Sequence, residues 1–414
     1  MPITEAVSAR LGRRAELTFK HNANHGRHGW LRLTPAYSVK LVNDILSDRG
    51  GHLHVLDPFS GTGTTALSAA MRGHRASAVD LNPFLVWLAR AKTAIYDPAT
   101  LRTAARSVRD VSALASSGGP PSQPPPIYDV NRWWHSDNLD YLCRTKGAID
   151  KLEPEPGPVR DLLLVAFCRA LIALSNAAFN HQSMSFKTGR ASAQTRMFER
   201  RARYGSFEDS AAVVLEGAAA NPVTSASIQV GDARNLAESL SEGFDLLITS
   251  PPYPNRMSYI RELRPYMFWL GYLKHGRDAG ELDWRSIGGT WGIATSRLAT
   301  WSRSPETFFP DYLDTALARI RNSDTKSGTV LANYVAKYFD DTWQHLTSMG
   351  KLARSGAEVH YIVGNSKFYE TLVPTELVYR DMLFRCGAKE AEVRTIRKRN
   401  SKRELYEYDV VARM

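Results

Sequence analysis

Two short stretches carry residue types at spacings that can do chemistry. In the first, Asp57-Pro58-Phe59-Ser60-Gly61-Thr62-Gly63-Thr64-Thr65-Ala66, an apolar run ends in an acid and enters a glycine-rich turn. Gly61 and Gly63 permit a sharp bend and close approach of a ligand to the main chain. Thr64 and Thr65 are candidate caps for a following helix. A second acid, Asp80, ends the next apolar run, Arg75 to Val79. A carboxylate at that place suits ribose hydroxyls. A phosphate-binding loop would need Gly-Lys-Ser/Thr, which is missing. Gly61-x-Gly63-x-x-Ala66 fits the dinucleotide fingerprint in its Gly/Ala form. The loop alone therefore leaves two ligands open, a dinucleotide and the sulfonium nucleoside S-adenosylmethionine. Asp57 favours the second, because a carboxylate there attracts a cation and repels a pyrophosphate.

The second stretch is Thr249-Ser250-Pro251-Pro252-Tyr253. A strand that runs into two prolines loses backbone donors and keeps its carbonyls. The Ser250 hydroxyl and the Pro251 carbonyl then form a rim of acceptors, with the flat face of Tyr253 beside them. Such a rim suits an exocyclic amine on a planar base that stacks on the tyrosine.

Both stretches need a sheet to hold them. His54–Asp57, Arg75–Asp80, Ala226–Val230 and Phe244–Ser250 read as strands that end in a loop or an acid. Gly231-Asp232-Ala233-Arg234 supplies the third such acid. The pattern predicts an α/β fold with a mostly parallel sheet and the chemistry at its carboxyl edge. Thr34-Pro35 predicts a helix start ahead of Val39, Val42, Ile45 and Leu46. Residues 116–126 are rich in Pro, Gly and Ser and predict an exposed linker. Residues 127–225 read as mostly helical. Within them Arg196, Arg200 and Arg201 are interleaved with Phe198 and Tyr204, which suits a nucleic-acid surface. The Trp-containing zone 275–305 reads as loop-rich and is a second candidate for recognition. Gly328–Val335 and Ala357–Gly364 read as strands. At the C-terminal end, Val393–Ile396 and Leu405–Val411 predict a hairpin. Arg397, Lys398, Arg399, Lys402 and Arg403 at its tip are candidates to grip phosphates.

With both motifs in view, the sequence resembles the amino-methyltransferases of DNA. Asp57 to Thr64 is similar to their cofactor loop, and Ser250 to Tyr253 to their catalytic motif, whose Ser-Pro-Pro form goes mainly with N4-cytosine. Val79-Asp80-Leu81-Asn82-Pro83 resembles the ribose-binding segment, and Asp232-Ala233 the segment near the adenine. Trp30–Val42, with Thr34, resembles the helix-bearing motif over the methionine end. Residues 328–339 and 357–366 resemble later sheet motifs. The resemblance covers about two thirds of the chain and leaves 95–225 unmatched.

It implies a Rossmann-like class I methyltransferase sheet with a C-terminal antiparallel hairpin and a largely helical insert. The implied division is 1–95, 96–225 and 226–414, with both outer segments in the core. It implies S-adenosylmethionine as cofactor and methyl transfer to N4 of a cytosine flipped out of double-stranded DNA. N6-adenine or an RNA base amine is the alternative. A separately acting restriction endonuclease is an implied companion. C5-cytosine chemistry needs a Cys after Pro, and Cys143, Cys168 and Cys386 do not follow one.

Composition bounds these readings. The 414 residues are 43% hydrophobic, enough for a substantial core. No apolar run is long enough to span a bilayer, and the N-terminus has no hydrophobic signal segment. The cysteines are scattered, and the histidines of the basic N-terminal segment, His21, His25 and His28, do not sit at metal-site spacings with acids or cysteines, so no metal site is predicted and a cytoplasmic location is expected. The net charge of +11 suits a polyanionic partner.

Overall fold

A computed structural model describes residues 14–31, 33, 37–47, 49–178, 185–186, 193–290, 294–324, 326–399 and 404–414; for 185, 193–205, 294 and 295 only the chain path is described. Seven strands form one sheet: β1 His54–Asp57, β2 Arg75–Asp80, β3 Ala226–Val230, β4 Phe244–Thr249, β5 Ala353–Gly364, β6 Glu390–Lys398 and β7 Tyr406–Arg413. Their spatial order is β6-β7-β5-β4-β1-β2-β3. β1, β2, β3, β4 and β5 run parallel, and β7 is antiparallel to both β5 and β6. This is the Rossmann-like methyltransferase sheet with its antiparallel strand β7. The order reverses between β1 and β4, which makes the carboxyl ends of those two strands the switch point where ligands bind.

Alternation along the strands explains why both faces are covered. Val55, Leu246 and Ile248 pack with helices α1 (Val39–Leu46), α2 (Thr64–Met71) and α3 (Pro83–Thr93). Their neighbours Leu56, Leu247 and Val359 turn the other way, into a core with residues 331–349 and 378–383. Between β2 and β3 run helices α4 (Pro98–Ser116), α5 (Ser136–Leu152), α6 (Pro158–Ala173) and α7 (Ala193–Ala219). They share a hydrophobic core with α3 and with α8 (Tyr259–Trp269).

The N-terminal turns are fastened by Arg27, which is 1% exposed. Its guanidinium donates to the carbonyls of Lys92 (2.9 Å) and Ala94 at the end of α3, of Gly217 (3.0 Å) and Ala218 (2.7 Å) at the end of α7, and to Asn221 Oδ1 (2.9 Å). Burial lowers its pKa to about 10, so it stays charged.

Four sequence readings are corrected. Gly328–Val335 is no strand; it opens helix Gly328–Gly350, whose buried residues include Leu331, Ala332, Asn333, Tyr334 and Val335. A short apolar run looks the same in a buried helix as in a buried strand. Residues 275–305 contain helices Gly276–Arg285 and Ala294–Ala299. Thr64 and Thr65 are not caps: Gly63 occupies the cap position with φ +77°, and the Thr65 hydroxyl donates to the Ile248 carbonyl at 3.1 Å. Helix α1 begins at Val39, capped by Ser38, whose hydroxyl accepts from the Lys40 N–H at 3.1 Å. Thr34 and Pro35 lie outside the described residues.

Candidate active site

The two motifs meet at the ends of adjacent strands. Leu56 pairs with Leu247, so Asp57 and Thr249 leave the sheet side by side. The Thr249 hydroxyl donates to Asp57 Oδ1 at 2.6 Å, and the Phe59 N–H donates to the same oxygen at 3.1 Å. Both loops line one open cavity of about 520 Å³, within the usual size of ligand sites.

At the cofactor end, Phe59, Ser60, Gly61, Thr62, Thr64, Asp80, Leu81 and Asn82 line the cavity. Gly61 has φ +49°, and a Cβ there would meet nothing closer than the Phe59 carbonyl at 3.8 Å, so its bare backbone opens to a ligand. Gly63 serves packing instead: a Cβ would lie 2.9 Å from Ala89 Cβ of α3. Asp80 braces the turn, accepting from the Gly61 N–H and the Asn82 N–H at 2.8 Å each. Burial pushes its carboxyl up to about 7, against the pull of those two bonds. Asn82 Oδ1 caps α3 through the Phe84 N–H at 3.0 Å. Phe59 packs edge-on to His345, with ring centroids 4.8 Å apart.

Asp57 departs from its expected role. It is fully buried and does not line the cavity; it lies under the floor and joins the two loops. Burial raises its carboxyl to about 6, while the hydroxyl of Thr249 and the Phe59 N–H pull it part of the way back. Asp232 and Ala233 reach the cavity. The Asp232 carboxylate is taken by the Arg234 fork, at 2.9 Å and 2.6 Å. Burial would lift this carboxyl, but Arg234 more than offsets that and holds it below the ordinary range.

At the other end stand Ser250, Pro251, Pro252 and Tyr253. Three tyrosine hydroxyls hold the backbone of this loop. Tyr338 donates to the Pro252 carbonyl at 2.9 Å, Tyr259 accepts from the Tyr253 N–H at 3.2 Å, and Tyr334 accepts from the Arg256 N–H at 3.1 Å. The Ser250 hydroxyl lies 3.5 Å from the Tyr253 hydroxyl. Burial, with the Glu407 carboxylate alongside, keeps the Tyr253 phenol well above its ordinary pKa and therefore protonated.

The hairpin also departs from expectation. Arg397 and Lys398 belong to strand β6, not to a tip. Arg397 and Arg399 line the cavity with Glu407. Lys402 and Arg403 lie outside the described residues, and of Arg196, Arg200 and Arg201 only the helical path is described. Leu33, Tyr37 and the turns from Ala15 to Lys20 add to the wall, as do Arg285, Ser286 and Ile287. Tyr37 falls in the segment tied by resemblance to the methionine end; nothing in the sequence marked Glu407 or residues 15–20.

The residues fit a polar nucleoside cofactor. Among the described residues the buried Ser60 hydroxyl, which lines the cavity, has no hydrogen-bond partner. The open Gly61 backbone and the Asp80 carboxyl stand beside it. Among the described residues, no group of three or more His, Cys, Asp or Glu side chains could hold a metal ion, and no helix is long and apolar enough to cross a membrane.

No family model matches the chain. A 70-residue stretch is 34% identical to the type II methyltransferase M.BsoBI of Geobacillus stearothermophilus, covering 16% of this chain and 14% of that protein. Among solved structures, the chain is similar to TrmN from Thermus thermophilus, with TM-score 0.30 and 12% identity over 96% of this chain and 53% of that one. It is also similar to the rRNA methyltransferase aviRa from Streptomyces viridochromogenes, with TM-score 0.33 and 11% identity over 97% and 96%. The fold assignment stands on the strand order and directions given above.

Proposed function

We propose that this chain is an S-adenosylmethionine-dependent methyltransferase acting on an exocyclic base amine, and in particular on N4 of cytosine in double-stranded DNA. The observation that carries the reading is the single cavity shared by the Gly61 loop and the Ser250-Pro251-Pro252-Tyr253 rim. The local similarity to a type II methyltransferase supports it. The bound cofactor would supply an electrophilic methyl group. Ser60, Gly61, Asp80 and Asn82 would hold its polar atoms. The Ser250 hydroxyl and the Pro251 carbonyl would accept hydrogen bonds from the amine and favour the pyramidal geometry that frees its lone pair. Tyr253 would support the base ring. Positioning of this kind supplies up to about 7–11 kcal/mol of a barrier. A base inside a duplex is out of reach, so it must be flipped out, at about a few kcal/mol.

The test is incubation with methyl-labelled donor and duplex DNA, followed by nucleoside digestion. Label in N4-methylcytosine is expected. Label in N6-methyladenine alone would move the base assignment, and label in RNA but not DNA would move the substrate. Binding of NAD without S-adenosylmethionine would overturn the reading.

A further inference from the structure

We propose that the C-terminal hairpin completes the transfer site, with Glu407 and Arg397 as positioning residues that fix the ring of Tyr253. The inference rests on reading the cavity as a methyl-transfer site and adds residues to it. Tyr253 and Glu407 are 154 residues apart in sequence, yet the Tyr253 hydroxyl donates to Glu407 Oε1 at 2.9 Å. Glu407 is fixed in turn. Arg397, its neighbour across the hairpin, donates from Nε to Oε2 at 2.7 Å and from Nη2 to Oε1 at 3.1 Å. Both side chains are largely buried, 7% and 14% exposed. A two-pronged guanidinium–carboxylate pair of this kind sets direction as well as strength.

The ring is also held by its face. Arg399 Cζ stands 4.8 Å from the Tyr253 ring centroid, and its Nη1 donates to the Asn365 carbonyl at 2.7 Å. Gly364 makes the room: a Cβ there would lie 2.9 Å from Tyr253 Cδ2 and collide with the Arg399 guanidinium. The hydroxyl end is thus anchored and one face is held by a cation. A tyrosine tethered only at its backbone would keep two side-chain torsions free. The Arg397–Glu407 pair removes that freedom where a misplacement of about 1 Å can cost about 100-fold in rate.

The test compares the full-length protein with Glu407→Ala, Glu407→Gln, Tyr253→Phe and the double variant Tyr253→Phe/Glu407→Ala. The assay uses S-adenosylmethionine and a cytosine-containing duplex, with S-adenosylhomocysteine affinity measured by calorimetry. Glu407→Ala and Tyr253→Phe are each expected to lower kcat about tenfold, with cofactor affinity and duplex KM within about twofold. Glu407→Gln still accepts from the phenol with its one amide oxygen but turns an N–H2 group toward Arg397, and is expected to restore part of the rate. The double variant is expected to be no more than about twofold worse than either single one, because both remove the same bond. Additive losses, no rescue by Gln, or an effect confined to cofactor affinity or thermal midpoint would overturn the proposal. Should Glu407→Ala fail to fold, an undiminished kcat in Tyr253→Phe overturns it alone. If the unaltered protein binds cofactor but methylates no base in DNA or RNA, the functional reading falls and takes this one with it. An active enzyme with additive variants removes only the hairpin's role.

Discussion

Replacing Thr249 by Val tests how the two loops are joined. The side chain is fully buried, and Val keeps its shape while deleting the hydroxyl that donates to Asp57 Oδ1 at 2.6 Å. The cost depends on the charge of Asp57. Its carboxyl titrates near 6 in the folded chain, above its ordinary value, because burial penalises the anion. A raised carboxyl favours folding fully below its unfolded pKa of about 4, and that contribution fades as pH rises through about 6. At pH 5 Asp57 is mostly protonated and the lost bond is neutral, costing about 0.5–1.5 kcal/mol. At pH 8 it is ionised, and a hydrogen bond to a charged group costs about 1.5–3 kcal/mol. The destabilisation should therefore grow by about 1 kcal/mol or more between pH 5 and pH 8. Urea unfolding of both proteins at the two pH values measures it, provided the m-values agree. An equal cost at both pH values, or a larger one at pH 5, would refute the reasoning.

Three further outcomes are expected. Ser250→Ala and Tyr253→Ala should lower turnover by about 100-fold or more while leaving S-adenosylmethionine affinity within about twofold, measured by single-turnover kinetics and calorimetry; equal loss of both would contradict their assignment to the amine end. Cofactor affinity should rise from pH 5.5 to pH 8 and then level off, because ribose hydroxyls favour an ionised carboxylate and Asp80, which lines the cavity, titrates near 7. Calorimetry in buffers of different ionisation enthalpy should find proton release near pH 6.5, and a flat profile would count against it. Arg27→Met strands four main-chain carbonyls and removes one of two donors from Asn221 Oδ1, so denaturant unfolding should report a loss of about 3 kcal/mol or more.

Much of the sheet is legible because its strands are short apolar runs that stop in acids or prolines. β1, β2, β3 and β4 and the C-terminal hairpin fall where the residue pattern puts them, and so do the two loops of the site. What escaped depends on partners distant in sequence. Leu331-Ala332-Asn333-Tyr334-Val335 is buried on most sides, so its helical period leaves no polar stripe to read. Asp57 carries the charge of a ligand-binding group, but only the register of β1 against β4 reveals that Thr249 takes its oxygen. Arg397 and Arg399 look like members of a basic tip until the pairing of β6 with β7 turns Arg397 to Glu407. A run of cations has the same appearance whether it meets phosphate or a carboxylate of its own chain.

The Arg27 anchor has an evolutionary consequence. Four of its five acceptors are main-chain carbonyls, at Lys92, Ala94, Gly217 and Ala218, which every residue type presents alike. The carbonyls at Lys92, Ala94 and Ala218 do not depend on the side chain, and Gly217, where a Cβ would lie 2.6 Å from Trp30 Nε1, is the exception, so the arginine would have few co-varying companions in a family of such chains. It would stand as an invariant position, easily mistaken for one that touches the substrate. Asn221, which also accepts from the Tyr96 N–H at 2.9 Å, and Gly217 would betray by their own constancy that they and the arginine are spliced together.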